Sequence, residues 1–256
     1  MHTDFHNLIP CISVANMRES DRKTITAVTP GRTLMYRAAM GVCLAADWPG
    51  ETVIAVGGGN NGGDGFALAC ILRARGHACR VVTLSERLTP DSAHFAARAS
   101  ALGVPAAPYA SGVFSGCDTI VDCLLGTGFS GEVRPPYASA IEEMNAAGAR
   151  IISVDIPSGM NGDTGAVSAS AVRADRTVTI AFVKNGLIAH RAGEYVGRLV
   201  CADIGILLDR EENYICPAEE WSETLAAREN VFPAPPWLEM TSIDVRSLDY
   251  DAEMTV

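Results

Sequence analysis

A doubly wound, mostly parallel α/β sheet is the fold this sequence predicts, and three observations predict it. Short apolar runs recur, each ending in a glycine-bearing turn: AVGGGNNGGDGF after residues 53–56, VDCLLGTGFSG after 119–121 and ISVDIPSGMNGDTG after 151–154. Segments of helical periodicity lie between them, several closed by a glycine, and the connections are short. At 256 residues, 48% apolar and 20% charged, the chain is long enough for one sizeable α/β core with an appendage.

Taken in order, residues 17–28 and 32–48 read as helices, the second aligning Leu34, Met35, Ala38, Ala39, Val42 and Ala46 on one face. Residues 52–56 form the first strand, 64–75 a helix capped by Gly76, and 80–84 the second strand. A helix over 90–102 stops at Gly103, a buried strand covers 118–124, and a helix over 136–147 precedes Gly148 and a strand at 150–154. Strands at 176–182 and 199–204 complete the sheet, so residues 1–208 read as one domain. Beyond Gly205 the pattern decays. Residues 209–256 hold Pro217, Pro233, Pro235 and Pro236, one short helix near 218–228 and little periodic apolar content, the pattern of a partly ordered tail docked through Trp221 and Trp237.

The net charge of −10 is unevenly distributed. The tail carries twelve acidic and three basic residues, the body eighteen and seventeen, so the acidity belongs to the tail and the body offers no basic stripe for nucleic acid or anionic lipid. The eight cysteines are scattered without C-x-x-C spacing and read as reduced thiols in a core. MHTDFHNLIP lacks the basic and apolar regions of a signal peptide, and no run reaches transmembrane length; the expectation is a cytoplasmic protein.

In a parallel sheet the loops after neighbouring strands converge at one edge, and ligands bind in the crevice between them. Glycines there let backbone N–H groups approach an anion, so the ligand should carry phosphate. Gly57, Gly59 and Gly62, and again Gly126, Gly128 and Gly131, match G-x-G-x-x-G, and Glu86 stands where a ribose-binding carboxylate is expected, which makes a nicotinamide dehydrogenase a competing reading. Asn60, Asn61 and Asp64, however, crowd the first turn with side-chain oxygens, and Asp122 and Asp155 each follow a valine near a strand's end. Oxygen-rich loops suggest a cation as well as a phosphate. Each residue also has a plain alternative: Asn60 and Asn61 as turn residues, Asp64 as a helix N-cap, Asp122, Asp155 and Ser158 as partners of loop amides.

The strings GGGNNGGDG, VDCLLGTGFSGEVRPP and VDIPSGMNGDTG, flanked by MRESDRKTI, FVKNGLIAH and VCADIGI, resemble those of the NAD(P)H-hydrate epimerase family over about residues 17–206. The resemblance implies a Rossmann-like, three-layer α/β/α fold, a homodimer, and interconversion of the R and S epimers of hydrated NADH or NADPH, with a potassium ion beside the substrate. By the same resemblance Asn60, Asn61, Gly62, Gly63 and Asp64 contact the hydrated nucleotide, and Gly126, Thr127, Gly128, Phe129, Ser130, Gly131 and Glu132 contact its phosphates. Asn61, Asp122 and Ser158 fall on potassium positions, and Asp155 on a substrate-contacting aspartate.

Chemistry gives these roles independent sense. The substrate is a hemiaminal, and inverting its carbon needs a proton moved at the hydroxyl; Asp155 is the expected acid and base. A non-catalytic nucleotide-binding or scaffold module of the same fold is the alternative, and a dehydrogenase is less favoured because no separate substrate domain with a catalytic histidine is evident. Lys184 reads equally as a phosphate contact or a solvated loop lysine. Where family members carry Met-Glu-x-Ala-Gly, this chain has Met35, Tyr36, Arg37, Ala38 and Ala39, a departure expected to alter helix packing. The 48 residues after the body are too few for the S-specific dehydratase domain that follows in many relatives, so that partner is expected as a separate polypeptide.

Overall fold

The structure, a computed structural model, describes residues 8–250. Its elements run β1 (Ile9–Ile12), α1 (Val14–Ala27), α2 (Gly31–Leu44), β2 (Glu51–Val56), α3 (Asn60–Ala74), β3 (Ala78–Thr83), α4 (Pro90–Ala101), β4 (Ala106–Pro108), β5 (Thr119–Cys123) and α5 (Tyr137–Ala146). There follow β6 (Arg150–Val154), β7 (Arg176–Ile180), β8 (Val183–Lys184), α6 (Gly193–Val196), β9 (Arg198–Asp203), β10 (Asn213–Cys216), α7 (Glu223–Ala226), β11 (Val231–Pro233) and β12 (Met240–Asp244).

Alternation along the strands builds three layers. In β2, Ile54 and Val56 face one cluster with Phe66, Leu68 and Leu72 of α3 and Phe95 of α4, while Val53 and Ala55 face the other with Ile141 and Met144 of α5. Both faces are covered, so β5 is buried at every position. The main sheet has eight strands in the order β12-β9-β7-β6-β5-β2-β3-β4, and every pair is parallel. The expected doubly wound α/β/α fold is therefore present. All eight cysteines are free and seven are buried. No helix among the described residues is long and apolar enough to cross a membrane.

A second sheet, in the order β11-β10-β1-β8, was not expected from the sequence. β1 pairs parallel with β8 and antiparallel with β10, which pairs with β11. The segment expected as a tail thus supplies two strands here and, through β12, an edge strand of the main sheet. Its expected helix near 218–228 shrinks to a 3-10 turn at Ala218–Glu220 and the four residues of α7. Trp221 packs beside Cys216, Leu225 and Val231, and Trp237 lies against Gly193, where a Cβ would come within 2.7 Å of its ring.

Helix boundaries differ for physical reasons. α1 starts at Val14, because Ser13 caps it by accepting from the Asn16 amide at 3.2 Å. α2 stops at Leu44, and Trp48 turns back to donate its indole N–H to the Cys43 carbonyl at 2.8 Å. α3 begins at Asn60 rather than Asp64, so NNGGDG is helix and not loop. Its glycines serve packing: a Cβ at Gly62 would lie 2.1 Å from the Gly57 carbonyl oxygen, and one at Gly65 within 3 Å of Val56 and Cys123. Close approach to the sheet overrides the poor helix propensity of glycine.

The departure from Met-Glu-x-Ala-Gly has a counterpart in space. Arg37 donates to the carbonyls of Leu248 (2.8 Å) and Ile204 (3.1 Å), and the Tyr36 ring lies 5.7 Å from that of Tyr250. Tyr250 also meets Phe95 edge-on and shares a 2.6 Å hydrogen bond with His94. The end of the described chain is thus fastened to α2 and α4.

Candidate active site

The three glycine turns converge at the carboxyl edge of β2, β5 and β6, as parallel topology requires. They border a cavity of about 750 Å³, within the range of small-molecule sites. Asn60, Asn61 and Asp64 of α3, the loop residues Gly126, Thr127, Gly128, Phe129 and Ser130, and Asp155 all line it. Gly62 and Gly63 do not: both are buried in the contact of α3 with Gly57, Ser92 and Met35. Glu132 is held to one side, its carboxylate accepting from Ser168 Oγ (2.8 Å) and the Ala169 amide (3.2 Å). Gly131 has φ +88°, a turn conformation that favours glycine.

Asp122 and Ser158 form a layer beneath the cavity, both without solvent exposure. Asp122 accepts from Ser158 Oγ (2.5 Å), the Ser158 amide (2.8 Å), Ser153 Oγ (2.8 Å) and the Leu124 amide (3.2 Å). Burial raises its carboxyl above the ordinary range, and these hydrogen bonds oppose the rise. Ser158 Oγ in turn accepts from the Leu125 amide at 2.8 Å. Asn61 donates to the Leu125 carbonyl at 3.1 Å, but its own Oδ1 is buried with no hydrogen-bond partner among the described residues. Asn61 and Ser158 thus meet at one loop residue, above a buried carboxylate to which no cationic side chain among the described residues is bonded. An orphaned amide oxygen, a hydroxyl, a carbonyl and a buried negative charge suit a weakly coordinated cation.

Asp155 stands directly after β6 with φ +70°, rare for a residue with a side chain. Its amide donates to the Val178 carbonyl at 2.8 Å, fixing it to β7. Lys184 Nζ donates to Asp155 Oδ1 at 2.5 Å, and the other oxygen, Oδ2, lies 3.2 Å from where a Cβ on Gly126 would be.

Two further carboxyls border the same cavity. Asp64 is not an N-cap: that position belongs to Gly59, and Asp64 lies inside the helix, facing the cavity. Burial, then the charges of Asp155 and Asp21, push its carboxyl well above the ordinary range, and the Lys184 ammonium pulls the other way. Asp21 of α1 is raised too, by burial and then by Asp155, against Lys184.

Sequence reasoning left Lys184 open between a phosphate contact and a solvated lysine, and missed Asp21. It also missed Arg18, which ties α1 to the glycine loop by donating to the Thr127 carbonyl at 2.8 Å. Arg18 and Asp21 lie within MRESDRKTI, which carried family resemblance but no stated role. The apolar wall of Met17, Ile25, Leu34, Met35 and Ile204 comes from α1, α2 and the end of β9.

The family model for the YjeF-related protein N-terminus matches residues 31–186. The NAD(P)H-hydrate epimerase of Limosilactobacillus fermentum is 37% identical over 199 residues, 75% of this chain and 95% of that protein. The chain belongs to the NAD(P)H-hydrate epimerase family. The family's epimerase of Lentilactobacillus buchneri is 35% identical, covering 76% of this chain and 94% of that one. A bifunctional NAD(P)H-hydrate repair enzyme of Coxiella burnetii is 36% identical, but this chain spans only 40% of its length. The crystal structure of yeast YNL200c, 23% identical, superposes with a TM-score of 0.63 over 70% of this chain and 83% of that one, which supports the fold.

Proposed function

We propose that this protein interconverts the R and S epimers of hydrated NADH and NADPH, with Asp155 moving the proton at the hemiaminal hydroxyl. Family membership supports the reaction, and the observation that carries the site is Asp155 Oδ2, presented to the cavity between two glycine turns. Protonating the hydroxyl lets the C–O bond break as water leaves, while the ring nitrogen's lone pair stabilises the cation. Water returning to either face yields either epimer. The bare turn at 126–130 and the start of α3, with its unpaired amides, suit the phosphates. Asn60, Asn61 and Asp64 border the same ligand; Gly62, Gly63, Gly131 and Glu132 are assigned to its surroundings, where they shape the loops.

The fit of Asn61, Ser158, the Leu125 carbonyl and Asp122 supports potassium as the cation. Bound there, it would balance the Asp122 charge, brace two converging loops and offset the ligand's phosphates. Exchanging potassium for lithium is then expected to lower turnover, and indifference to the exchange argues against the site.

Free thiols throughout support a reducing, cytoplasmic setting. A homodimer is proposed on the exposed Ile25, Val28 and Leu207, which gather about α1, since Thr24 Oγ1 holds the Leu207 amide at 2.9 Å. The bifunctional relatives support an S-specific dehydratase as functional partner.

The deciding assay supplies the R epimer with excess S-specific dehydratase and follows recovery of NADH. Acceleration over spontaneous epimerisation is expected, and its absence favours a non-catalytic module of the same fold.

A further inference from the structure

Lys184 is 1% exposed, and burying an ammonium is costly unless every proton finds a partner. Its three acceptors are Asp155 Oδ1 (2.5 Å), the Ile180 carbonyl (2.7 Å) and Thr179 Oγ1 (3.1 Å). An ammonium has three N–H donors, so none remains for a ligand phosphate. Lys184 is therefore neither the phosphate contact nor the solvated lysine that its sequence allowed.

Its position is built from outside the main sheet. β8 lies in the second sheet, where Lys184 is in register with Ile12 of β1, and from there the side chain reaches under Asp155. Thr179 and Ile180 belong to β7, the neighbour of β6. The ammonium thus ties the left-handed Asp155 to the adjoining strand and occupies one carboxylate oxygen. The other oxygen faces the space kept open at Gly126, where a Cβ would stand 3.2 Å from it.

We propose that Lys184 is a positioning residue for the epimerisation: it holds Asp155 Oδ1, so that proton exchange with the substrate runs through Oδ2 alone. The inference rests on the epimerase reading and on Asp155 as its proton carrier. It assigns Lys184 an effect on turnover rather than on nucleotide affinity, because its three N–H donors are all taken up within the protein.

The test compares native protein with Lys184→Met, which keeps the buried volume, in the coupled assay. A kcat lowered about 100-fold, the scale of a misplaced catalytic group, is expected with KM changed less than about threefold. Lys184→Ala leaves room for a small amine, and methylamine is expected to restore at least about tenfold of its lost kcat, which relief of a purely structural defect would not do. Thr179→Val removes one acceptor and is expected to lower kcat by less than Lys184→Met; it serves if the lysine variants fail to fold. A raised KM with unchanged kcat in Lys184→Met, or native kcat in both Lys184→Met and Thr179→Val, overturns the proposal while leaving the epimerase reading intact. No acceleration by the native protein overturns both.

Discussion

The carboxyl edge of the main sheet and the C-terminal segment 209–250 are both irregular in sequence, yet they are held in opposite ways. At the sheet edge, order comes from paired polar groups: Asp122 with Ser153 and Ser158, Asp155 with Lys184. In the C-terminal segment it comes from edge strands and a few apolar anchors: β12 along β9, Val245 and Tyr250 in the core, Trp237 against Gly193. The first arrangement stores unfavourable terms, with buried carboxylates and a left-handed aspartate. The second only adds burial. Changes to the catalytic pair at the edge should therefore lower the turnover of the folded protein, and changes in the segment should lower stability alone.

The largest effect is expected at Asp155. Asp155→Asn should lower kcat by about 1,000-fold, within the usual span for a proton-transferring group, and also lower the urea midpoint, because the buried Lys184 ammonium loses its only anionic partner among the described residues. Full activity in that variant would remove the distinction between the two regions. Ending the chain after Glu239 deletes β12 and the buried Val245 and Tyr250; a loss of about 3 kcal/mol is expected by denaturant unfolding, with the remaining folded fraction active. A truncated protein that is stable but inactive would place the segment in the site. Asp122→Ala strands the Ser158 and Leu124 amides in a buried layer and should cost about 2 kcal/mol, read as a lower denaturant midpoint at constant slope.

The smallest effect has the opposite sign. The folded protein holds the Asp64 proton more tightly than the unfolded chain does, so stability falls as pH rises from the ordinary carboxylate range toward the raised value. Asp64→Asn should remove that fall and stabilise the fold at neutral pH by about 1 kcal/mol, measured by melting across pH, while nucleotide turnover drops. Such a trade would mark the sheet edge as the strained half of the molecule.

What the sequence disclosed divides along the same line. The strands of the main sheet and the three turns were legible because apolar runs and glycine punctuation are local signals. The convergence of the three turns, and of Asp122 and Asp155 at one crevice, followed from parallel topology, whereas the grouping of Asn61 and Ser158 with Asp122 came from the family resemblance. Residues 60–63 were misread as a turn before the helix because glycine propensity is also local, whereas the reason for Gly62 and Gly63 is contact with Gly57 and Met35 across the fold. Lys184 was ambiguous because FVKNGL looks like a turn; its burial depends on β8 meeting β1 from the far end of the chain. The strands of two to five residues that pair at such distances leave almost no periodic trace.

The two residues of β8 make one cooperative unit of parts that lie far apart in the chain. Opening β8 away from β1 breaks few backbone hydrogen bonds, yet it withdraws an ammonium from the cleft and frees β1, on whose other side β10 depends. The C-terminal segment and the proton-handling aspartate should therefore share one sub-global opening, with the amides of Ile12, Lys184 and Ile215 exchanging together and ahead of those in β5.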